Sequence, residues 1–257
     1  MKKAILVAII GALSLSVNAG DWGGGKSVAP PAKGPIAGCP DTSGEVTVGY
    51  ATDRILHGAR LARDTVWLDV NYTFESVVPL TLGVSHYNNI NAFVPVPLSD
   101  ETDVYLAAQV AEVAGMSVTL DYTHRFFSGF GSFGELGLTL RKDIGFADLI
   151  LSTDYGINAF GSDGWAHRAG IEKVIDISDS MGLVLGAGVG YHDNYFFKAA
   201  NPSSGWSHYY LTASLPIELN CAATLTPYIG FNGVQQWNEF NGQGDALHAG
   251  ISLSVKF

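Results

Sequence analysis

From residue 45 to the final Phe257, apolar and polar side chains alternate with a period of two. Leu247, Ala249, Ile251, Leu253, Val255 and Phe257 interleave with Ala246, His248, Gly250, Ser252, Ser254 and Lys256. Successive side chains of an extended strand point to opposite faces, so one face of this segment is wholly apolar and the other small or polar. The same split separates Val66, Leu68, Val70, Tyr72 and Phe74 from Trp67, Asp69, Asn71 and Thr73. It also separates Leu136, Leu138 and Leu140 from Glu135, Gly137, Thr139 and Arg141. The alternation predicts twelve strands, over residues 45–57, 64–74, 80–88, 102–113, 117–127, 134–143, 147–158, 165–176, 181–192, 207–219, 223–232 and 245–257. No segment keeps a helical period for three turns, so no amphipathic helix competes.

The connections alternate too. Those over 75–79, 114–116, 144–146, 177–180 and 220–222 are short. Those over 58–63, 128–133 and 159–164 are longer, and 89–101, 193–206 and 233–244 are longest. Short turns at one end and long loops at the other are the layout of an outer-membrane barrel. An even strand number then puts both termini at the short-turn end, expected to be periplasmic. Tyr50, Tyr72, Phe74, Tyr122, Phe126, Tyr155, Tyr191, Tyr209, Phe231 and Phe257 sit on the apolar parity near strand ends, where interfacial aromatic girdles belong. A water-soluble barrel or sandwich would instead bury that parity and show water a surface of Gly and Ser with little charge. The expected fold is therefore all-β: a single closed antiparallel transmembrane β-barrel of about 12 strands, up-and-down in topology, spanning residues 45–257 and bathed by outer-membrane lipids.

Composition narrows the function. Only 15% of the 257 residues are charged, against about 25% in typical soluble domains. The formal net charge of −10 excludes a basic nucleic-acid binder. After residue 19 no run approaches the ~18–20 apolar residues of a spanning helix. Residues 1–19 read as a secretory signal peptide: Lys2 and Lys3, an apolar stretch, then Val17-Asn18-Ala19 at the cleavage site. Residues 20–44 hold Gly23-Gly24-Gly25 and several prolines, a composition unfit for helix or interior strand. They read as a periplasmic tail or a plug tucked into the lumen. Ile36-Ala37-Gly38-Cys39 looks like a lipobox, but it lies too far beyond the apolar stretch to serve as one. Cys39, just before the first strand, and Cys221, in a short turn at the same end, are expected to form a disulfide in the oxidising envelope. The terminal Phe257, closing an alternating strand, resembles the signal read by the outer-membrane assembly machinery.

Tyr50-Ala51-Thr52-Asp53-Arg54-Ile55-Leu56-His57-Gly58 resembles the opening motif Y-x-S/T-D-Y-x-F-R-G of the TorF-type porins, a family of small outer-membrane β-barrels. Tyr50, Thr52, Asp53 and Gly58 match, while Arg54, Leu56 and His57 replace the motif's tyrosine, phenylalanine and arginine. Leu183–Tyr191 and Leu225–Ile229 hold similar blocks, so the likeness covers most of residues 45–257. It implies a porin in the outer membrane of a diderm bacterium, and names no substrate.

The inward parity carries Asp53, Asp69, Asp103, Asp121, Arg125, Glu135, Arg141, Asp148, Asp154, Arg168, Glu172, Glu218 and Lys256. Acids outnumber bases nine to four in that set. Either these groups line a solvated channel for small hydrophilic solutes or ions, mildly favouring cations, or they pair and close the interior. The second case would leave a structural or adhesive barrel. All seven histidines fall toward the long-loop ends, and His57, His192, His208 and His248 share the inward parity as rim groups. Their spacing matches no tight metal-ligand pattern, so no metal, cofactor or catalytic residue is expected. A barrel lipase needs a Ser beside a His on the lipid side, and none stands out next to His86 or His124.

Overall fold

The computed structural model describes residues 43–92, 100–129, 131–159, 162–195, 204–235 and 244–257, with the isolated pairs 15–16 and 27–28. Leu15–Ser16 and Ser27–Val28 form a separate two-residue antiparallel ladder. The signal-peptide and tail assignments, and Cys39, otherwise lie outside the described residues.

Twelve antiparallel strands form one closed cylinder. They are β1 (Gly44–Leu56), β2 (Ala59–Phe74), β3 (Leu80–Ala92), β4 (Glu101–Val113), β5 (Met116–Phe127), β6 (Gly131–Asp143), β7 (Asp148–Ala159), β8 (Ser162–Ser178), β9 (Met181–Asp193), β10 (Ser204–Ser214), β11 (Ala223–Val234) and β12 (Ala246–Lys256). Each strand pairs with its sequence neighbours, and β12 pairs with β1 to close the ring. At the seam Phe257 N donates to Gly44 O (3.0 Å) and Gly44 N to Phe257 O (3.2 Å), so both ends of the barrel domain meet at the short-turn end.

All twelve predicted strands are present, most extended by a few residues toward the long loops. Three predicted loops shrink. Residues 59–63 belong to β2, and the only residues between β1 and β2 are His57 and Gly58, at φ 47° and 79°. Both central residues of a two-residue hairpin turn need positive φ, which glycine adopts freely. Loops predicted over 128–133 and 159–164 likewise contract to the few residues before Gly131 and Ser162. The predicted strand 207–219 is interrupted: Pro216 removes a ladder donor, and only Ile217–Glu218 continues the pairing with β11. Glu218, placed by parity in the lumen, is exposed beyond that break.

The barrel is inverted relative to a water-soluble one. Val66, Leu68, Val70, Tyr72 and Phe74 are 40–48% exposed on the outside, whereas Trp67 and Asp69 between them are 1% and 0% exposed. Charged interior and aliphatic exterior are what hydrocarbon around a closed sheet requires. Aromatic rings ring the exterior at the long-loop end: Tyr155 meets Trp165 (4.7 Å), which stacks on His167 (5.9 Å), and Tyr191 meets Trp206 (5.7 Å). Tyr72 and Phe74, in T-shaped contact at 5.0 Å, mark the short-turn end.

The abundant glycines have a spatial role on the inner wall. Trp67 lies over Gly49, Tyr105 over Gly83, Tyr228 over Gly250 and His208 over Gly190; a Cβ at any of these glycines would collide with the ring. The rings thus lie flat against neighbouring strands instead of projecting across the lumen.

Candidate functional site

The interior carries a charged wall on β4–β8. At its long-loop half Arg125 is the hub. Its Nη1 donates to Glu101 Oε1 (3.1 Å) and Asp103 Oδ2 (2.5 Å), and its Nε to Glu135. Alternation along β4 and β6 points Glu101, Asp103 and Glu135 inward, and the β5 register sets Arg125 opposite Asp103. Toward the middle, Arg168 donates from Nη2 to Asp154 Oδ2 (2.8 Å) and from Nε to Ser152 Oγ (3.0 Å). At the short-turn end Arg141 Nη2 donates to Asp148 Oδ2 and Glu172 Oε1, both at 2.6 Å. Asp121 makes no ion pair among the described residues and is half-buried in the same wall. On β2, two strands from β4 along the same sheet, Asp69 accepts from Ser85 Oγ (2.6 Å), Asn71 Nδ2 (2.8 Å) and Tyr105 OH (3.0 Å).

The first hairpin leaves the wall and enters the lumen. Ile55, Leu56, His57, Ala59, Leu61 and Ala62 are all at most 8% exposed, so both faces of this stretch are covered. Leu56 and Leu61 pack with Phe127, Phe133, Ala159, Ala166 and Tyr195, which belong to the wall opposite β1 and β2. His57 Nε2 lies 2.9 Å from Glu135 Oε1, which also accepts from Tyr195 OH. Asn232 Nδ2 on β11 donates to Gly58 O (2.9 Å), and Gly58 sits so close to His208 that any Cβ there would strike the imidazole. Arg54 donates Nη2 to Glu101 Oε1 (3.1 Å) and Nε to Oε2 (3.3 Å), with its guanidinium 4.1 Å over the Tyr87 ring.

The consequence is a lumen with two halves. Inward residues of the long-loop half, including Glu101, Asp103, Glu135, Asp154 and Arg168, are buried under the hairpin. In the short-turn half Thr119, Asp121, Thr139, Arg141, Asp148, Thr226, Ser254 and Lys256 keep intermediate exposure, while Glu45, Thr47, Asn71, Thr81 and Glu172 are buried. The described interior is thus covered in its long-loop half and partly accessible, as a vestibule, on the β5–β7 and β11–β12 side of its short-turn half.

The structure brings the predicted residues into separate groups. Arg125 and Glu135 join one network, Asp154 and Arg168 a second, Arg141 and Glu172 a third. Asp53 pairs with Arg60 at 3.0 Å, while Asp69 on β2 is bonded to Ser85 on β3 and Tyr105 on β4. His57, His192 and His208 are 1–2% exposed and cluster with Tyr195, with ring centroids of adjacent histidines 6.3–6.4 Å apart. They are interior groups rather than rim groups, as is His248 at 6% exposure. Among the described residues no three His, Cys, Asp or Glu side chains have metal-binding geometry. Arg54, Glu101 and Tyr195 were missed by sequence reasoning. Arg54 lies on the outward parity and the other two near or in predicted loops. The signal for Arg54 was available: a guanidinium facing lipid would have been the costliest position in β1. The lipid-facing His86 and His167 do have hydroxyl neighbours, Thr102 (2.9 Å) and Thr153 (2.8 Å), rather than serines.

No family model and no curated relative matches the sequence. Solved structures do match in shape. The COG4313 outer membrane channel from Pseudomonas putida F1 superposes with a TM-score of 0.59 at 12% identity, covering 90% of this chain and 100% of that one. The KdgM porin gives 0.55 at 8% identity over 83% of this chain and 99% of that one. LpxR from Salmonella typhimurium gives 0.50 at 9% identity, covering 83% and 100%. The protein has the fold of the small outer-membrane β-barrels. Within that class, the first of these neighbours are porins and channels, and at such identities the likeness is one of fold alone.

Proposed function

We propose that the protein is a porin-like channel of a diderm outer membrane, passing small hydrophilic solutes or ions with a modest preference for cations. The observation that carries the reading is the inversion of the barrel: aliphatic side chains outside, and a partly accessible charged vestibule inside. Acid exceeds base in that half of the lumen, where Arg141 and Lys256 face Asp121, Asp148 and Glu172, and Asp121 makes no ion pair among the described residues. A lumen with surplus negative charge lowers the barrier for cations. Purified protein in planar bilayers under a KCl gradient should show step conductances whose reversal potential moves toward that of K+. Folded protein that never conducts, with residues 20–44 present or removed, defeats the channel reading. The inward hairpin favours the second reading, a closed structural or adhesive barrel, which predicts that silence.

Both termini of the barrel domain face the periplasm in this reading, which places Phe257 where the assembly machinery can reach it. Cys221 lies in the connection after Glu218, at the end where residue 43 emerges. A Cys39–Cys221 bond there would hold the Gly/Pro-rich segment beneath the vestibule. Mass spectrometry of the alkylated, unreduced protein should find no modified cysteine. Two alkylated thiols in protein isolated from the envelope would rule the bond out.

A further inference from the structure

The first hairpin loses its barrel partner earlier on the β1 side than on the β2 side. The β12–β1 ladder runs from Lys256 opposite Glu45 to Gly250 opposite Ala51 and stops there. At the next position Thr52 Oγ1, a side chain, accepts from Ala249 N (3.0 Å). On the returning strand Asp64 adopts φ 54°, a left-handed kink unusual for a residue other than glycine. It is clamped from both sides, by Tyr50 OH (2.6 Å) and Asn91 Nδ2 (2.7 Å). The β1–β2 register shifts between Arg54 and Ile55. The returning strand stays paired with β3 through Arg63 opposite Asn91 and Ala62 opposite Ala92, so the tip free of both flanking strands is residues 55–61.

The tip docks through a cation. Glu101, Asp103 and Glu135 surround the single guanidinium of Arg125, three carboxylates about one cation on the wall itself. Arg54 enters that site from the hairpin. It is held at two points by one carboxylate and lies over the face of Tyr87. Paired carboxylate oxygens plus an aromatic face are the recognition chemistry of a free organic cation, above all a guanidinium or alkylammonium group.

We propose that Arg54 is a tethered stand-in for a cationic solute: the first hairpin latches the lumen by filling a Glu101–Tyr87 cation site, and a soluble guanidinium or ammonium compound competes for that site and releases the latch. The proposal rests on the channel reading above and adds to it a substrate class and a means of regulation. A ligand shifts such an equilibrium only by its preference for one state. Here the preference arises because the site is vacant only when the hairpin has swung out.

Three proteins test it in planar bilayers: the wild type, Arg54→Gln, and a variant whose residues 54–61 are replaced by Gly-Gly. Heat-modifiable migration on gels confirms that each is a folded barrel. The wild type should be mostly closed in KCl, and millimolar L-argininamide should raise its open probability about tenfold, a shift of about 1.4 kcal/mol. Millimolar L-glutamate should have no effect. Arg54→Gln and the excised variant should open without any addition, and L-argininamide should then reduce their K+ current by sitting in the exposed site. Wild-type channels as open as the excised ones, or unmoved by L-argininamide, overturn the latch while leaving the channel reading intact. Excised channels that open while Arg54→Gln stays shut overturn the role of Arg54. If none of the three folded barrels conducts, the channel reading itself fails, and the latch with it.

Discussion

Replacing Arg125 by leucine is expected to destabilise the barrel by about 3–5 kcal/mol, the usual result of removing one partner from a buried ionic cluster. Glu101, Asp103 and Glu135 all accept from this side chain, and each is at most 3% exposed. Without Arg125 the ion-pair partners left among the described residues are Arg54, at Glu101, and His57, at Glu135, both delivered by the hairpin. The loss should therefore be accompanied by a rearranged or undocked hairpin. Urea titration of protein folded into lipid vesicles, followed by tryptophan fluorescence, reads the change directly. Arg125→Lys should recover part of the loss, because an ammonium restores the charge but not the fork of donors. A loss below ~1 kcal/mol, the range of exposed ion pairs, would mean that these carboxylates reach water and that the hairpin does not cover them.

A second large effect concerns the outer surface. Leu120, 47% exposed on β5, pairs across the sheet with Leu138 and Ala108, far from either end of its strand. Leu120→Arg should cost about 2–4 kcal/mol, as a cation at the middle of the hydrocarbon does. The neighbouring Thr119→Arg points the same group into the vestibule and should change stability by no more than ~0.5 kcal/mol, as for solvated surface positions. The two substitutions differ by one position in the chain and by the whole thickness of the wall. Equal costs, or a reversal of the order, would show that lipid does not cover the Leu120 face.

The parity of the strands was legible in the sequence because lipid and lumen impose opposite demands on adjacent residues. Val66 to Phe74 displays this without interruption, and its assignment carries over to the structure residue by residue. The hairpin tip was not legible for the converse reason. Ile55, Leu56, Leu61 and Ala62 are covered on both faces, so their apolar character no longer alternates. Residues 58–63 then read as a loop, although the hairpin is paired as far as Ala59 opposite Leu56. Arg54 follows the same logic: once the strand has left the wall, outward parity no longer means lipid. Charged pairs within the regular strands, such as Arg141 with Glu172 and Arg168 with Asp154, were readable as inward groups. Which of them would meet depended on barrel register, which turn lengths and bulges set and local pattern does not reveal. Glu101 was assigned to a connection and Tyr195 lies just past the end of β9, yet both are indispensable to the buried network.

The seam has a consequence for how the molecule is made. The bonds that complete the cylinder join the start of β1 to the last residue, and Thr47 meets Ser254 across 207 positions of sequence. No fragment lacking β1 or β12 holds both edges, so the outermost backbone groups of these two strands are satisfied only when both are present. Pairing this remote is slow, because the entropy of bringing the ends together is spent before any contact repays it. Until then the two unpaired borders are open to other chains. Closure of the cylinder therefore waits on the last strand of the ring reaching the first.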